Sequence, residues 1–451
     1  MTTMENPKIL KGHNRQLFFL RLLAKVGIHS PLGKLIRLVA YFLDLSVLGS
    51  EWRNYLETRQ NLSKKFLGLD LALIHTSFLD AQKLIETVPQ KRDNYLGPLK
   101  INARSFFLGN TLSLGINGKE HTDVRELFLQ ILGDSEQNTS ILGELVEQAL
   151  ERVAQQQRFN VKDDIPRLMV ELLHKYIFEL QLSDQEIYRS VDYINNLALA
   201  TVPNSIHTTI LSSKTAPLIQ HRRELLEKYK TSPKYQQYLE MAAFSQLNEE
   251  TVTNQLFDMI HIAGTAGTSA LLGSVFGVLS SDQGVQTRVV AELDSIWDGK
   301  ATPNAQLLEQ LEITEKVIFE TARLYPPVRF VSQLATEPQE IEIAGKQCPI
   351  QTGSRLIASI FTANRDPDKY DHPNEFRLTR NYSDLLSWNG DNQERKCPGR
   401  SLSITLIKLF CLYAFKRYQW TSCSTAEWDM NRFGQFTPQN LVFNGFTRRV
   451  I

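Results

Sequence analysis

Four groups of residues have types and spacings that chemistry can use. Cys397 lies in "NQERKCPGRS", followed by Pro398 and Gly399 and then by the apolar run "LSITLIKLFCLYAF". Proline is favoured in the first turn of a helix, so the sulfur is expected where unpaired backbone N–H groups point outward. Those donors, the helix dipole and the neighbouring Arg395 and Lys396 favour thiolate over thiol. A thiolate there suits an axial iron ligand or a nucleophile, and no histidine lies close in sequence to act as its base. The plainer alternative is a small core hydrophobe, the usual fate of a lone intracellular cysteine.

In "GINGKEHTDVRELF", His121 and Arg125 are one helical turn apart, and two cations at that spacing can hold one anionic group along a helix face. Solvation of that face is the competing account. In "EITEKVIFETARLYPPV", Glu320 and Arg323 share a face of a helix that Pro326 and Pro327 stop. An exposed pair of that kind contributes only tenths of a kcal/mol, whereas Arg380 of "NEFRLTR" would complete a buried Glu-Arg-Arg network. The fourth group is "NQLFDMIHIAGTAGTSALLGSVFGVL", a long apolar helix with small residues where bulk is expected. Gly264 and Gly267 each lower helix propensity by roughly 1 kcal/mol relative to Ala. Either a second helix packs closely there or a flat ligand lies against the groove.

The elements that must position these groups are mostly helical. Apolar residues recur at three and four residue spacing from about residue 120 to 330, as in "TDVRELFLQILGD" and "SILGELVEQALERVAQQQ". Short β-rich pieces come later, in "VRFVSQLAT", "QEIEIAG", "KQCPIQTGSRLIASI" and "LVFNGFTRRVI", separated by Gly and Pro turns. No repeat or long linker divides the chain. A single mainly α domain over residues 1–451, with a large helical lobe and a small β-rich lobe, is the expected architecture.

The 451 residues carry 50 basic and 49 acidic side chains, which leaves no one-signed field to attract nucleic acid. The four cysteines have no CxxC spacing, against a disulfide framework or structural zinc site and in favour of a reducing, cytoplasmic compartment. The N-terminus lacks the pattern of a secretory signal. Its apolar stretch "LGKLIRLVAYFLDLSVLG" is broken by Arg37 and Asp44 and falls short of a membrane span, although an amphipathic surface helix fits it.

Taken in order, these groups resemble the cytochrome P-450 superfamily of haem-thiolate enzymes, from about residue 110 to the C-terminus. "GKEHTDVR" resembles its H-x-x-x-R helix, "AGTAGT" its central helix, and "ETAR" its E-x-x-R motif. "ANRDP" with "HPNEFRLTR" resembles the stretch before the haem loop, and "RKCPGRSL" is similar to the cysteine-ligand loop. The resemblance implies haem b with Cys397 as proximal thiolate. It implies His121, Arg125 and Arg395 as partners of the haem carboxylates, Gly399 as the retained loop glycine, and Glu320, Arg323 and Arg380 as a structural network. It further implies a substrate pocket from Ala263, Gly264, Thr265 and Thr268, from Val328, Arg329 and Phe330, and from the turn "TPQNLVF", with Thr268 as a catalytic hydroxyl. Arg329 is expected on either a substrate carboxylate or a haem carboxylate. A ferredoxin or flavoprotein reductase is the implied electron donor, docked on Arg395, Lys396, Arg400 and Lys408.

The departures are equally informative. The family's loop has Phe seven residues and Gly four residues before the cysteine, where this chain has Gly390 and Gln393. The acid-alcohol pair that delivers protons to dioxygen aligns on Ala266 and Gly267. Loss of that pair is seen in allene oxide synthases and hydroperoxide lyases, and "SWNGDNQERKCPG" has some likeness to their loop. That branch also has a central-helix asparagine, for which only His261 or Asn254 is available here. Three readings follow. The first is oxidation of an apolar or aromatic small molecule by hydroxylation, epoxidation or aryl coupling. The second is rearrangement of a fatty-acid hydroperoxide without a reductase, and the third is a haem-binding partner without turnover.

Overall fold

The computed structural model describes residues 62–66, 69–75, 78–86, 92–94, 108, 116–133, 138–197, 211–245, 247–343, 346–350, 355–391, 394–428 and 437–449. The amphipathic stretch at residues 32–49 and Gln393 lie outside them. The helices are α1 (Phe78–Glu86), α2 (Gly118–Leu132), α3 (Thr139–Gln155), α4 (Val161–Phe178), α5 (Asp184–Asn195), α6 (Ser212–Tyr229), α7 (Tyr235–Met241), α8 (Glu249–Ser281), α9 (Gln283–Ile296), α10 (Ala305–Glu309), α11 (Glu312–Leu324), α12 (Ile360–Ala363) and α13 (Arg400–Arg417). The strands are β1 (Leu62–Phe66), β2 (Leu69–His75), β3 (Arg92–Asn94), β4 (Arg158–Asn160), β5 (Phe330–Ala335), β6 (Gln339–Ile343), β7 (Lys346–Ile350), β8 (Arg355–Ser359), β9 (Tyr418–Gln419), β10 (Ser422–Cys423), β11 (Val442–Asn444) and β12 (Thr447–Arg448).

Local sequence explains where these elements start. A capping box opens α5: Ser183 N–H donates to Glu186 Oε2 at 2.7 Å, and Glu186 N–H donates to Ser183 Oγ at 3.3 Å. Asn248 caps α8 by accepting from Thr251 N–H at 2.8 Å. α13 is buried on nearly every face from Leu402 to Phe415, as a helix apolar all round must be.

The two expected lobes each have a core. The large one joins α2 to α9, α11 and α13, from Ile116 to Phe446. The small one gathers Ala81, Leu84 and Ile85 of α1 with Val331, Ala335, Leu356 and Ala358 of the sheet. That sheet has the order β1-β2-β8-β5-β3. Among the described residues only β2 and β8 pair in parallel, with Leu73 opposite Leu356, and the late strands β5 and β8 are flanked by three early ones, β1, β2 and β3, that the sequence reading did not assign.

α8 is the central beam. Its 33 residues are long and apolar enough to cross a membrane, but 78% of its most apolar window is buried inside the protein. It widens to a π-helix over Met259–Ala266, a geometry concentrated at functional sites. Its two glycines at the small-residue stretch differ in what lies against them. A Cβ on Gly264 would stand 2.9 Å from Leu173 Cδ1 of α4, so a helix packs closely there. A Cβ on Gly267 would have no described atom within 4 Å. Further along, Gly277 leaves room for Trp428, whose ring stacks on Tyr325 with centroids 4.4 Å apart.

A polar seam binds α4, α5 and α6 to α8. Arg222 donates to Asp258 Oδ1 at 2.7 Å, to Asn254 Oδ1 at 2.8 Å and to Tyr193 Oη at 3.0 Å. Beside it, His174 and His261 each donate Nδ1–H to a carbonyl four residues earlier, Val170 at 2.6 Å and Phe257 at 3.0 Å. Their Nε2 atoms therefore accept, from Tyr229 Oη at 3.0 Å and Ser190 Oγ at 3.2 Å, and Ser190 in turn accepts from His221 Nε2–H at 2.9 Å.

Burial holds His174 and His221 down at about 4 and pushes His261 down as well. Unfolded histidine titrates near 6.5, so the unfolded chain binds protons first as pH falls. The stabilisation by these neutral imidazoles is complete above about pH 6.5 and is lost toward about pH 4. Urea midpoints are expected to fall steadily over that window, and a His174→Gln variant to show a shallower decline. Equal slopes in the two proteins would show that this histidine does not drive the loss.

Candidate active site

The cysteine loop is built against the end of α11. Glu320 and Arg323 have 0% side-chain exposure, and Arg323 grips the carboxylate with two bonds, Nε to Oε2 and Nη2 to Oε1, each 2.8 Å. Its remaining hydrogens go to the carbonyls of Asn364 and Pro373 at 2.7 Å and Glu375 at 3.1 Å. Arg380 donates to Glu320 Oε1 at 3.1 Å and to the carbonyls of Asp371 and His372 at 2.7 and 2.9 Å. The backbone N–H of Arg377 reaches the same Oε1 at 2.9 Å. One carboxylate and two guanidiniums thus fix the chain from residue 364 to 380, directly before the loop.

Cys397 is half-buried, three residues before α13. Its N–H donates to Trp388 O at 2.9 Å. Burial pushes its thiol pKa up, against the lowering effect of the Gly399 N–H, Arg125 and Arg400. The expected help from Arg395 and Lys396 is not found. Arg395 donates to Ile116 O at 2.9 Å and Asn117 Oδ1 at 2.7 Å, and Lys396 pairs with Asp391 at 3.0 Å. A bound metal cation would supply the charge that makes the sulfur a thiolate. Gly399 caps α13, and a Cβ there would meet only Leu132 Cδ1 at 4.0 Å.

His121 and Arg125 project from α2 toward the same loop. Arg125 donates to Lys396 O. Burial, then Arg395, then Arg125 hold the His121 imidazole down at about 4. Two guanidiniums and a neutral imidazole therefore converge, while the nearby Asp123 is taken by Lys119 at 2.8 Å. This donor set fits a ligand bearing carboxylates.

The remaining expected residues differ widely in exposure. On α8, Ala263 is exposed and Gly264 half-buried, but Thr265 is 0% exposed and its hydroxyl has no hydrogen-bond partner. Thr268 is buried, Val328 is 54% exposed and Phe330, which opens β5, is half-buried. Arg329 is buried, with its guanidinium 5.1 Å from the Phe361 ring centre. In the "TPQNLVF" turn, Thr437 packs against Gly273, and Pro438 against Gly277.

His261 and Asn254 belong to the polar seam and offer no counterpart of the missing asparagine. Lys408 is 5% exposed and bound to Leu308 O at 2.9 Å and Glu315 at 2.5 Å, which removes it from any docking surface. Arg400 lies over the rings of Phe319 and Trp388 at 5.7 and 5.6 Å. The sequence reading overlooked Asn117 and Asn389, although "WNG" before the cysteine was a visible turn signal.

Breaking the buried network should be costly, because removal of one partner of a buried ion pair leaves an uncompensated charge worth about 3–5 kcal/mol. Glu320→Gln is expected to lower the unfolding free energy by that amount, seen as a lower denaturant midpoint at unchanged slope, and to reduce haem retained on purification. A midpoint within experimental error of the parent would show that Arg323 is satisfied by carbonyls alone.

The family model for cytochrome P-450 matches residues 38–441. Among curated relatives, a cytochrome P-450 of the pig, Sus scrofa, is 25% identical over 40% of this chain and 36% of its own. Cyclooctat-9-en-7-ol 5-monooxygenase of Streptomyces melanosporofaciens is 30% identical over 38% of each chain. Geranylhydroquinone 3''-hydroxylase of Arnebia euchroma is 26% identical over 39% of this chain and 36% of its own. Each match thus spans well under half of the relative. The crystal structure of P450BioI in complex with hexadec-9Z-enoic acid ligated acyl carrier protein superposes with a TM-score of 0.67 and 17% identity, over 90% of this chain and 98% of that one. The fold, the cysteine loop and the match over most of the sequence show that the chain belongs to the cytochrome P-450 family, whose members bind haem b.

Proposed function

We propose that this chain, a single domain, oxidises an apolar or aromatic small molecule as a monooxygenase or oxidative-coupling enzyme. Haem b is held by Cys397, and electrons come from a ferredoxin or flavoprotein reductase. The observation that carries this reading is the bare stretch of α8. Ala263 is exposed, and one turn later Gly267 has no described atom within 4 Å of a would-be Cβ. That opening offers methyl and backbone surface to a substrate, with Val328 and Phe330 as apolar walls.

A thiolate-ligated haem supplies oxygen chemistry by pushing electron density toward O–O cleavage. In this reading Arg125, Arg395 and neutral His121 hold the haem carboxylates, and Gly399 keeps its N–H close to the sulfur. Thr268 Oγ1 is the hydroxyl assigned to proton handling. Glu320, Arg323 and Arg380 keep the segment before the loop in place. Two relatives are named for cyclooctat-9-en-7-ol and geranylhydroquinone, both rich in hydrocarbon. A cytoplasmic location suits the free thiols of Cys397, Cys411 and Cys423.

The second reading, rearrangement of a fatty-acid hydroperoxide, draws on Ala266 and Gly267. Neither can hold a proton where the acid-alcohol pair aligns, and a substrate that already carries its oxygen needs none there. Purified protein given a lipid hydroperoxide without NAD(P)H separates the two. Consumption at enzymatic rates favours rearrangement, while turnover only with reductase and NAD(P)H favours oxygenation. A protein that binds haem yet turns over nothing in either assay would be a non-catalytic partner.

Cys397→Ser is expected to fold with the parent's circular dichroism. It should lose the long-wavelength Soret band that thiolate ligation gives to the reduced carbon monoxide complex. Retention of that band would remove Cys397 from the iron.

A further inference from the structure

The loop departs from its family's pattern where Gly390 and Gln393 replace the expected Phe and Gly, and the structure describes the turn that carries Gly390. Trp388, Asn389 and Gly390 form a run of three left-handed residues, with φ of 58°, 72° and 57°. Asparagine and glycine enter that region readily, whereas a bulky aromatic side chain does so only when its surroundings impose it. Here they do. Trp388 Nε1 donates to Ser403 Oγ at 3.2 Å, its ring meets Phe319 edge-on at 6.0 Å, and Arg400 lies over it. Gly390 N–H donates to Leu386 O at 3.2 Å, and a Cβ on Gly390 would stand 3.1 Å from Glu86 Oε1 of α1.

This turn aims two groups at the residues carrying the sulfur. Asn389 Nδ2 donates to Arg395 O at 3.0 Å, and Trp388 O accepts from Cys397 N–H at 2.9 Å. Between them, Lys396 O accepts from Arg125. The peptide plane from Arg395 to Lys396 is therefore held at its oxygen, and the plane from Lys396 to Cys397 at both its oxygen and its nitrogen. The plane that follows the cysteine is held too, by Arg400 N–H on Cys397 O at 3.4 Å, and the two planes that flank the Cys397 Cα together set the direction of its Cα–Cβ bond.

We propose that Asn389 is a positioning residue for the Cys397 sulfur, its side-chain amide and left-handed backbone holding the loop in place of the missing Phe and Gly. This rests on Cys397 as the ligand of iron. The test uses holoenzyme variants Asn389→Gly, which tolerates the backbone and lacks the amide, and Asn389→Asp, which tolerates the backbone and sets a carboxylate against Arg395 O. The readout is the rate at which the reduced carbon monoxide complex loses its thiolate band in mild urea, alongside thermal unfolding of the whole protein.

Loss of one hydrogen bond corresponds to about a fivefold change. Band loss is expected about fivefold faster in Asn389→Gly and faster still in Asn389→Asp, with unfolding temperatures close to the parent. Parental rates of band loss in both variants would overturn the proposal. If Cys397→Ser kept its thiolate band, the ligand assignment and this inference would fall together. Loss of the band in that variant with parental kinetics at Asn389 would overturn the inference alone.

Discussion

The Glu320 carboxylate, buried among two arginines, is the interaction on which the rest of this structure depends. A charge at 0% exposure is tolerated only when every lone pair is answered, and here Arg323, Arg380 and the Arg377 N–H answer it. Because Arg323 and Arg380 also bond to five backbone carbonyls between residues 364 and 375, the ion pair organises chain that has little regular structure. The cysteine loop follows from that platform. Its position is thus set by electrostatics inherited from α11 rather than by strand or helix propensity.

The loop adds a second layer of constraint. Each peptide group from Arg395 to Cys397 has a partner on another element: Asn389, Arg125 or Trp388. Arg125 and Arg400 oppose the burial that raises the thiol pKa, while Arg125 and Arg395 converge with the neutral His121 in a donor set that suits a ligand bearing carboxylates. α8 shows how glycine serves two ends in one helix. Gly264 admits Leu173, and Gly267, three residues on, has no described atom within 4 Å of a would-be Cβ.

Rigidity around the pocket comes from buried polar pairs as much as from apolar packing. The Arg222–Asp258 pair and the three neutral histidines join α4, α5 and α6 to α8 immediately before and within the π-helix. Such groups contribute specificity through geometry, since each has few alternative partners once water is excluded.

Much of this was legible in the sequence. Spacing alone placed Glu320 with Arg323 and His121 with Arg125, and Pro398–Gly399 marked the mouth of α13, because helix periodicity and capping act over a few residues. The helical and β-rich lobes were likewise readable from period and turn residues. What tertiary structure decided were burial and partner. Lys408 looked like a surface cation and is buried on Glu315, Thr265 is fully buried, and Arg329 lies against Phe361. The role of Asn389 was equally hidden, since its bond to Arg395 exists only when a left-handed turn folds back on the loop. Local periodicity fixes which residues share a face; only long-range packing decides what that face meets, because burial depends on segments far away in the chain.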